Sequence, residues 1–380
     1  MVNEKRIVGE LFELVTIDSE TKRERTIANA LLKKLKDVGL ENVHEDDSAG
    51  VSGCGAGNIF AYLKGNVPGV PAVLFNAHMD TVTPGVGVKP SINAEGNIVS
   101  DGSTVLGSDD KSGIAAIIEA IRVVQENKLP HGDIEVLITA GEESGLLGAR
   151  CVDPKKLRAK IGYSLDTGGK VGSIKVKAPA RKMLTANVYG TSAHAGVAPE
   201  KGVSAITVAA KALAAMPLGR IDSETTANIG VFKAESPTNI VCDRAFVEAE
   251  ARSLDNAKLQ KQADAMRKAF EDAAAEMGGR VELDIKDDCA AFNLSEGDFV
   301  VDVAQQAAAR IGRPCELFAA GGASDANVLN GFGVPTAILA CGYADVHSKA
   351  EWIPVKELVK LAEMTLAIIA VAAETAERKT

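Results

Sequence analysis

Ile134-Glu-Val-Leu-Ile-Thr-Ala140-Gly141-Glu142-Glu143-Ser144-Gly145 is the stretch of this chain that decides its fold. It opens as an apolar run of strand length, breaks at a glycine and then presents two adjacent carboxylates. Neighbouring acids repel and burial penalises both charges, so stability alone gives no reason to set them there. Three more apolar runs end in comparable groups. Residues 72–75 lead into Asn76-Ala77-His78-Met79-Asp80, 161–165 into Asp166, and 335–341 towards His347. A further cluster, Asp109-Asp110, stands just ahead of an apolar segment of helical character. In an open α/β sheet, ligands gather at the carboxyl ends of the strands. Acids and imidazoles brought there from distant sequence are the donor types of a metal-dependent hydrolase.

Outward from these clusters, spaced apolar positions predict helices over 5–18 and 22–38, the second through Ile27, Leu31, Leu32 and Leu35, with Thr21 or Thr26 as its cap. Strands follow over 58–63 and 72–75, then a Gly/Pro-rich loop or short hairpin over 83–107, a helix over 113–126 and the strand 134–140. This alternation predicts an α/β fold with a mixed or parallel sheet covered by helices. Near Ala178-Pro179-Ala180 the pattern changes to longer alternating strands over 183–189, 226–232, 239–251 and 281–287, with helices over 202–215 and 256–277. That order is the split βαβ arrangement of a ferredoxin-like domain. It places an inserted α+β domain at 181–292, within a larger domain made of 1–180 and 293–380. The chain returns with a helix over 299–311, the turn Gly321-Gly322-Ala323-Ser324-Asp325, the strand before His347 and a last helix over 355–373.

The 380 residues are 46% hydrophobic and 24% charged, ordinary proportions for a globular protein. A net charge of −9 without any Lys/Arg block argues against nucleic acid as a partner. No apolar stretch approaches the roughly 18 residues of a membrane span, and no basic region precedes an apolar core as in a signal peptide. Six scattered cysteines without a CxxC pair suit reduced thiols, so the expected location is cytoplasmic.

Taken singly, each cluster also has a plain structural reading. His78 and Asp80 fit a surface turn, Asp109-Asp110 a helix N-terminus, Glu142-Glu143 an exposed turn. Their weight comes from recurrence at strand ends. If the strand period continues, His78 and Asp80 point the same way, so the imidazole can bind a metal while the carboxylate supports it. Of Glu142 and Glu143, one can bind metal while the other stays free as general base and acid. Histidines with carboxylates suit two divalent ions of zinc, cobalt or manganese better than magnesium or calcium.

These motifs together resemble the M20 family of co-catalytic metallopeptidases, in its peptidase T-like, tripeptidase-like branch, over essentially the whole chain. The resemblance implies a zinc-peptidase-like catalytic domain and an inserted lid and dimerisation domain. It puts His78, Asp109 and Asp166 on one ion and Asp109, Glu143 and His347 on its neighbour, with a cis peptide after Asp109. Glu142 falls on the general base and Asp80 on the acid that orients His78. In the inserted domain, Gly190-Thr-Ser-Ala-His194-Ala-Gly196 matches the motif whose histidine stabilises the oxyanion in a neighbouring active site, which implies a homodimer. Asn239 and Arg252 match positions that touch the substrate, Arg252 by holding a terminal carboxylate. One departure stands out: Ala320 occupies the place of an arginine that helps tripeptidases read the peptide C-terminus. The expected activity is hydrolysis of short peptides. The alternatives are an aminoacylase or deacylase acting on N-acyl amino acids, and a non-catalytic metal-dependent binding protein.

Overall fold

The computed structural model describes residues 1–377, and the chain divides into two compact units. The first comprises Met1–Val176, Asn293–Ala319 and the segment from Ser324 onward; the second comprises Lys177–Phe292 and Ala320–Ala323. At the centre of the first unit, Ile134–Thr139, Val73–His78, Ile161–Thr167 and Thr336–Ala340 lie side by side in that order, all parallel. Their residues are almost all buried, as expected for parallel strands covered on both faces. Antiparallel strands extend the sheet on each side. Ile59–Leu63 and then Glu41–Glu45 flank Ile134–Thr139, and Ile174–Ala178 flanks Thr336–Ala340. The mixed α/β expectation is borne out.

Register brings the carboxyl ends level. Val73 lies opposite both Ile134 and Ile161, His78 opposite Thr139, and Ala340 opposite Thr167. Because Ile134–Thr139 and Ile161–Thr167, the next two strands of this sheet in chain order, lie on opposite sides of Val73–His78, the order reverses there and opens a crevice at the strand ends. Alternation along each strand divides the core. Phe75 stacks on Tyr163, whose hydroxyl donates to Val300 O at 2.8 Å in the helix Phe299–Arg310. Leu74 and Leu137 point the other way, into a cluster with Leu329. The helix Ser108–Glu126 packs against Glu4–Thr16 and Val355–Glu377.

Two local expectations change. Arg25–Asp37 is capped at Glu24 without a side-chain bond, and Thr21 turns away to donate to Asp80 Oδ2 at 2.7 Å. The strand expected from 239 starts only at Arg244, which leaves Asn239 in a turn.

The second unit holds an antiparallel sheet in the order Gly219–Arg220, Thr225–Lys233, Arg244–Ser253, Ala180–Tyr189, Arg280–Cys289. Its four long strands follow the ferredoxin-like order, with Ala205–Ala215 and Asn256–Met277 packed on one face. The core there is small and aliphatic, from Leu184, Ala186 and Val188 to Val247, Met266 and Phe270. Ala320–Ala323 belongs to this unit rather than to the larger domain: Ala320 N donates to Lys177 O, and Arg252 Nη1 to Gly321 O. Among the described residues, no helix is long and apolar enough to cross a membrane.

Candidate metal centre

Each of the four central strands delivers a group to the crevice, and the helix Ser108–Glu126 delivers another from its first turn. Asp109 and Asp110 have non-helical dihedrals there, and the bond between them is cis. Gly113 allows the regular helix to start close by, because a Cβ would lie 2.5 Å from Asp110 Oδ1 and 2.8 Å from Leu165 O. Donor atoms of His78, Asp109 and Asp166 come within 4.8 Å of one another, as do those of Asp109, Glu143 and His347, and those of His78, Glu142 and Glu143.

His78 Nδ1 donates to Asp80 O at 3.0 Å, which leaves Nε2 facing Asp109 Oδ1 at 3.2 Å and Asp166 Oδ1 at 3.9 Å. His347 Nε2 lies 3.5 Å from Asp109 Oδ2 and 2.9 Å from Glu143 Oε1. Glu143 Oε1 is buried and, apart from its contact with the His347 imidazole, accepts no hydrogen bond from any described residue. A buried acceptor aimed at other acceptors and at an imidazole nitrogen is the arrangement a cation satisfies. The residues present therefore fit divalent metal, with donors of the His-and-carboxylate kind.

Electrostatics agree. Burial, then Asp109, pushes the Asp166 carboxyl well above its usual range, and burial, then Asp166, does the same to Glu142. Burial also opposes ionisation of Asp109, but the bonds from His347 and His78 outweigh it and hold that carboxyl low. His347 is pushed up to about 10 by its contacts with Asp109 and Glu143. The cluster is short of positive charge, and the imidazoles respond by holding protons.

His78 Nδ1 meets the backbone carbonyl of Asp80, and the Asp80 carboxylate lies 3.5 Å from the same nitrogen. That carboxylate accepts from Glu142 N at 3.0 Å and Glu143 N at 3.3 Å, so it fixes the turn carrying both glutamates. Asp110 accepts from His78 N at 3.2 Å and Gly113 N at 3.3 Å, a supporting position. Sequence reasoning passed over three groups. The Tyr343 hydroxyl lies 3.3 Å from Asp166 Oδ1 and 3.4 Å from Asp109 Oδ1. Asp325 accepts from the Thr139 hydroxyl, and burial pushes it up to about 6. Glu351 accepts from the backbone around Asp109. Only Asp325 sat in a quoted motif; nothing local marks the other two.

In the second unit, His194 and Ile240 form an antiparallel bridge, and Ala195 N donates to Asn239 O at 2.9 Å, so the two quoted motifs lie together. Gly196 N donates to His194 Nδ1 at 3.2 Å. Arg252 Nε and Nη2 donate to Glu250 Oε1 and Oε2 at 2.8 and 3.0 Å.

A parallel-centred α/β sheet with this donor set at its switch point defines the class, a metal-dependent hydrolase. The sequence profile of peptidase family M20/M25/M40 matches residues 74–371, and the chain belongs to that family. Protein YqjE of Bacillus subtilis is 53% identical over 374 residues, 98% of this chain and 100% of that one. The crystal structure of aminopeptidase PepT from Bacillus cereus superposes with a TM-score of 0.90 at 54% identity, covering 98% of this chain and 99% of that one. A tripeptidase from Staphylococcus aureus superposes at 0.94 with 42% identity, covering 98% and 100%. The family resemblance is borne out: the chain is a metallopeptidase.

Proposed function

We propose that the protein is a dinuclear, tripeptidase-like exopeptidase of the aminopeptidase kind. In this reading His78, Asp109 and Asp166 hold one divalent ion and Asp109, Glu143 and His347 the other. The observation that carries it is the convergence of these donors in two sets sharing Asp109. Zinc suits the mixture of imidazole and carboxylate, as do cobalt and manganese. When bound, such a pair lowers the pKa of a water and polarises the scissile carbonyl.

The chain's own residues move the protons. Glu142 takes one from the attacking water and returns it to the amine nitrogen as the C–N bond breaks. Asp80 keeps the Glu142 backbone in place. With Nδ1 of His194 accepting from Gly196, a neutral ring carries its proton on Nε2, the donor an oxyanion requires. That role goes with a homodimer in which the histidine serves the partner's site. Asn239 and Arg252 contact the substrate; because Glu250 holds Nε and Nη2 of the guanidinium and Gly321 O takes a bond from Nη1, a substrate carboxylate displaces one of these partners. The protein is cytoplasmic in this reading.

Glu142→Ala should lower turnover about 10²–10⁴-fold with metal content near wild type. Full activity in that variant would remove Glu142 from its role. A panel of tripeptides, dipeptides and N-acyl amino acids on metal-reconstituted protein tests the substrate class. Turnover confined to N-acyl amino acids would make it an aminoacylase instead.

A further inference from the structure

Glu351 sits at the base of a stapled loop. Ala344 and Trp352 exchange backbone bonds, Ala344 N to Trp352 O at 3.0 Å and Trp352 N to Ala344 O at 3.2 Å, and so close residues 345–351 into a unit with His347 inside it. Trp352 Nε1 donates to Asp345 Oδ2 at 3.0 Å, and the Ser348 hydroxyl to Asp345 O at 2.6 Å. Next to this base, Trp352–Pro354 pairs with Asn97–Val99. The loop is therefore braced on the segment that leads into Asp109.

From that base the Glu351 side chain, only 2% exposed, reaches the other ligand loop. Oε2 accepts from Leu106 N and Gly107 N, both at 2.8 Å, while Oε1 accepts from the Ser108 hydroxyl at 2.6 Å and Asp109 N at 3.1 Å. Four donors on two oxygens need an acceptor on both sides, which a carboxylate offers and an amide does not. An apolar side chain in its place would fill the space but orphan three buried N–H groups and a hydroxyl, so the carboxylate holds this backbone in one arrangement.

We infer that Glu351 is a positioning residue that ties the loop carrying His347 to the backbone carrying Asp109, and so sets the spacing of the ion shared by Asp109, Glu143 and His347. It rests on the dinuclear reading proposed above. The ion on His78, Asp109 and Asp166 depends on it less, because His78 and Asp166 are fixed by strands of the central sheet.

The test is a cobalt(II) titration of the chelated, full-length protein, followed by visible absorption. Wild type should take up two ions. Glu351→Gln keeps the shape but sets an amide NH₂ against either the Leu106 and Gly107 N–H groups or the Asp109 N–H. It should bind one ion within about threefold of wild type and the other at least about tenfold more weakly, the usual effect of removing a ligand's supporting partner. Excess cobalt should restore most of kcat with KM little changed. Equal weakening of both ions, or none, overturns the positioning role. Ser108→Ala, which removes one donor while three backbone N–H groups still hold the Glu351 carboxylate, should weaken the same ion by a smaller factor and serves if Glu351→Gln does not fold. Wild type that binds two ions but hydrolyses no peptide would sink the proposed function and leave the positioning role standing. Wild type that binds only one ion would sink both.

Discussion

Lys111 shows how far a single residue can be pushed beside this centre. It follows Asp109 and Asp110, is 1% exposed, and donates from Nζ to Ile17 O at 2.9 Å. Burial pushes its ammonium down to about 7 from the ordinary 10.5. Between those values the unfolded chain binds the proton more tightly, so stability contributed at this position rises with pH through that window and is lower below it. Lys111→Met removes the titration. In chelated protein, wild-type minus variant unfolding free energy should therefore climb from pH 7.5 to 9.5, by at most about 1.4 kcal/mol per unit. Urea denaturation at the two values measures it, and a flat difference would show that Lys111 keeps an ordinary affinity. At this scale the sequence was legible where chemistry repeats at strand ends: His78, Asp109, Glu142, Glu143, Asp166 and His347 all meet in the crevice. Tyr343 and Glu351 were not legible, because each matters through a partner about 180 to 245 positions away in the chain, and no local spacing encodes such a pairing.

Elements were most readable where caps and periodicity agree. Asn256–Met277 coincides with the expected 256–277 helix, because Leu259, Ala263, Met266, Phe270 and Ala273 bury one face, Asp255 caps the start and Gly278 ends it in a left-handed turn at φ +70. The Asp255 carboxylate accepts from Ala257 N at 2.7 Å and Lys258 N at 2.9 Å. Asp255→Ala should cost about 1 kcal/mol of stability in urea denaturation and leave the metal content unchanged. Glu41–Glu45 escaped the reading for the opposite reason. As a largely exposed edge strand it lacks an apolar face and takes its form from pairing with Ile59–Leu63. Asp325–Gly331, at seven residues, is too short for a helical period to show. Gly113 belongs to the element it opens: Gly113→Ala would press a methyl on Asp110 and on Leu165 O. It should destabilise by about 1–3 kcal/mol, read as a lower thermal midpoint.

For the whole molecule, the question is what offsets the charge gathered at the strand ends. In metal-free protein Asp110, Glu142 and Asp166 have carboxyls held well above their usual range, first by burial. An acid with a raised folded pKa lends stability that is present below its unfolded value and lost as pH rises through the folded one. His347, raised to about 10 by Asp109 and Glu143, acts in the same direction: its contribution is complete below the ordinary 6.5 and lost as pH climbs towards 10. The metal-free form should therefore weaken as pH rises from about 5 to 9. Divalent ions meet the opposite trend, since they bind the deprotonated donors and displace protons on binding. Metal at a hundred times its dissociation constant stabilises the fold by about 2.7 kcal/mol. Lys111 titrates in both forms and largely cancels from their difference. The gap in thermal midpoint between zinc-loaded and chelated protein should thus widen steadily from pH 5.5 to 8.5. Scanning calorimetry of the two forms in matched buffers reads that gap, and one that stayed constant or narrowed would mean the crevice does not hold its cations through these carboxylates and imidazoles.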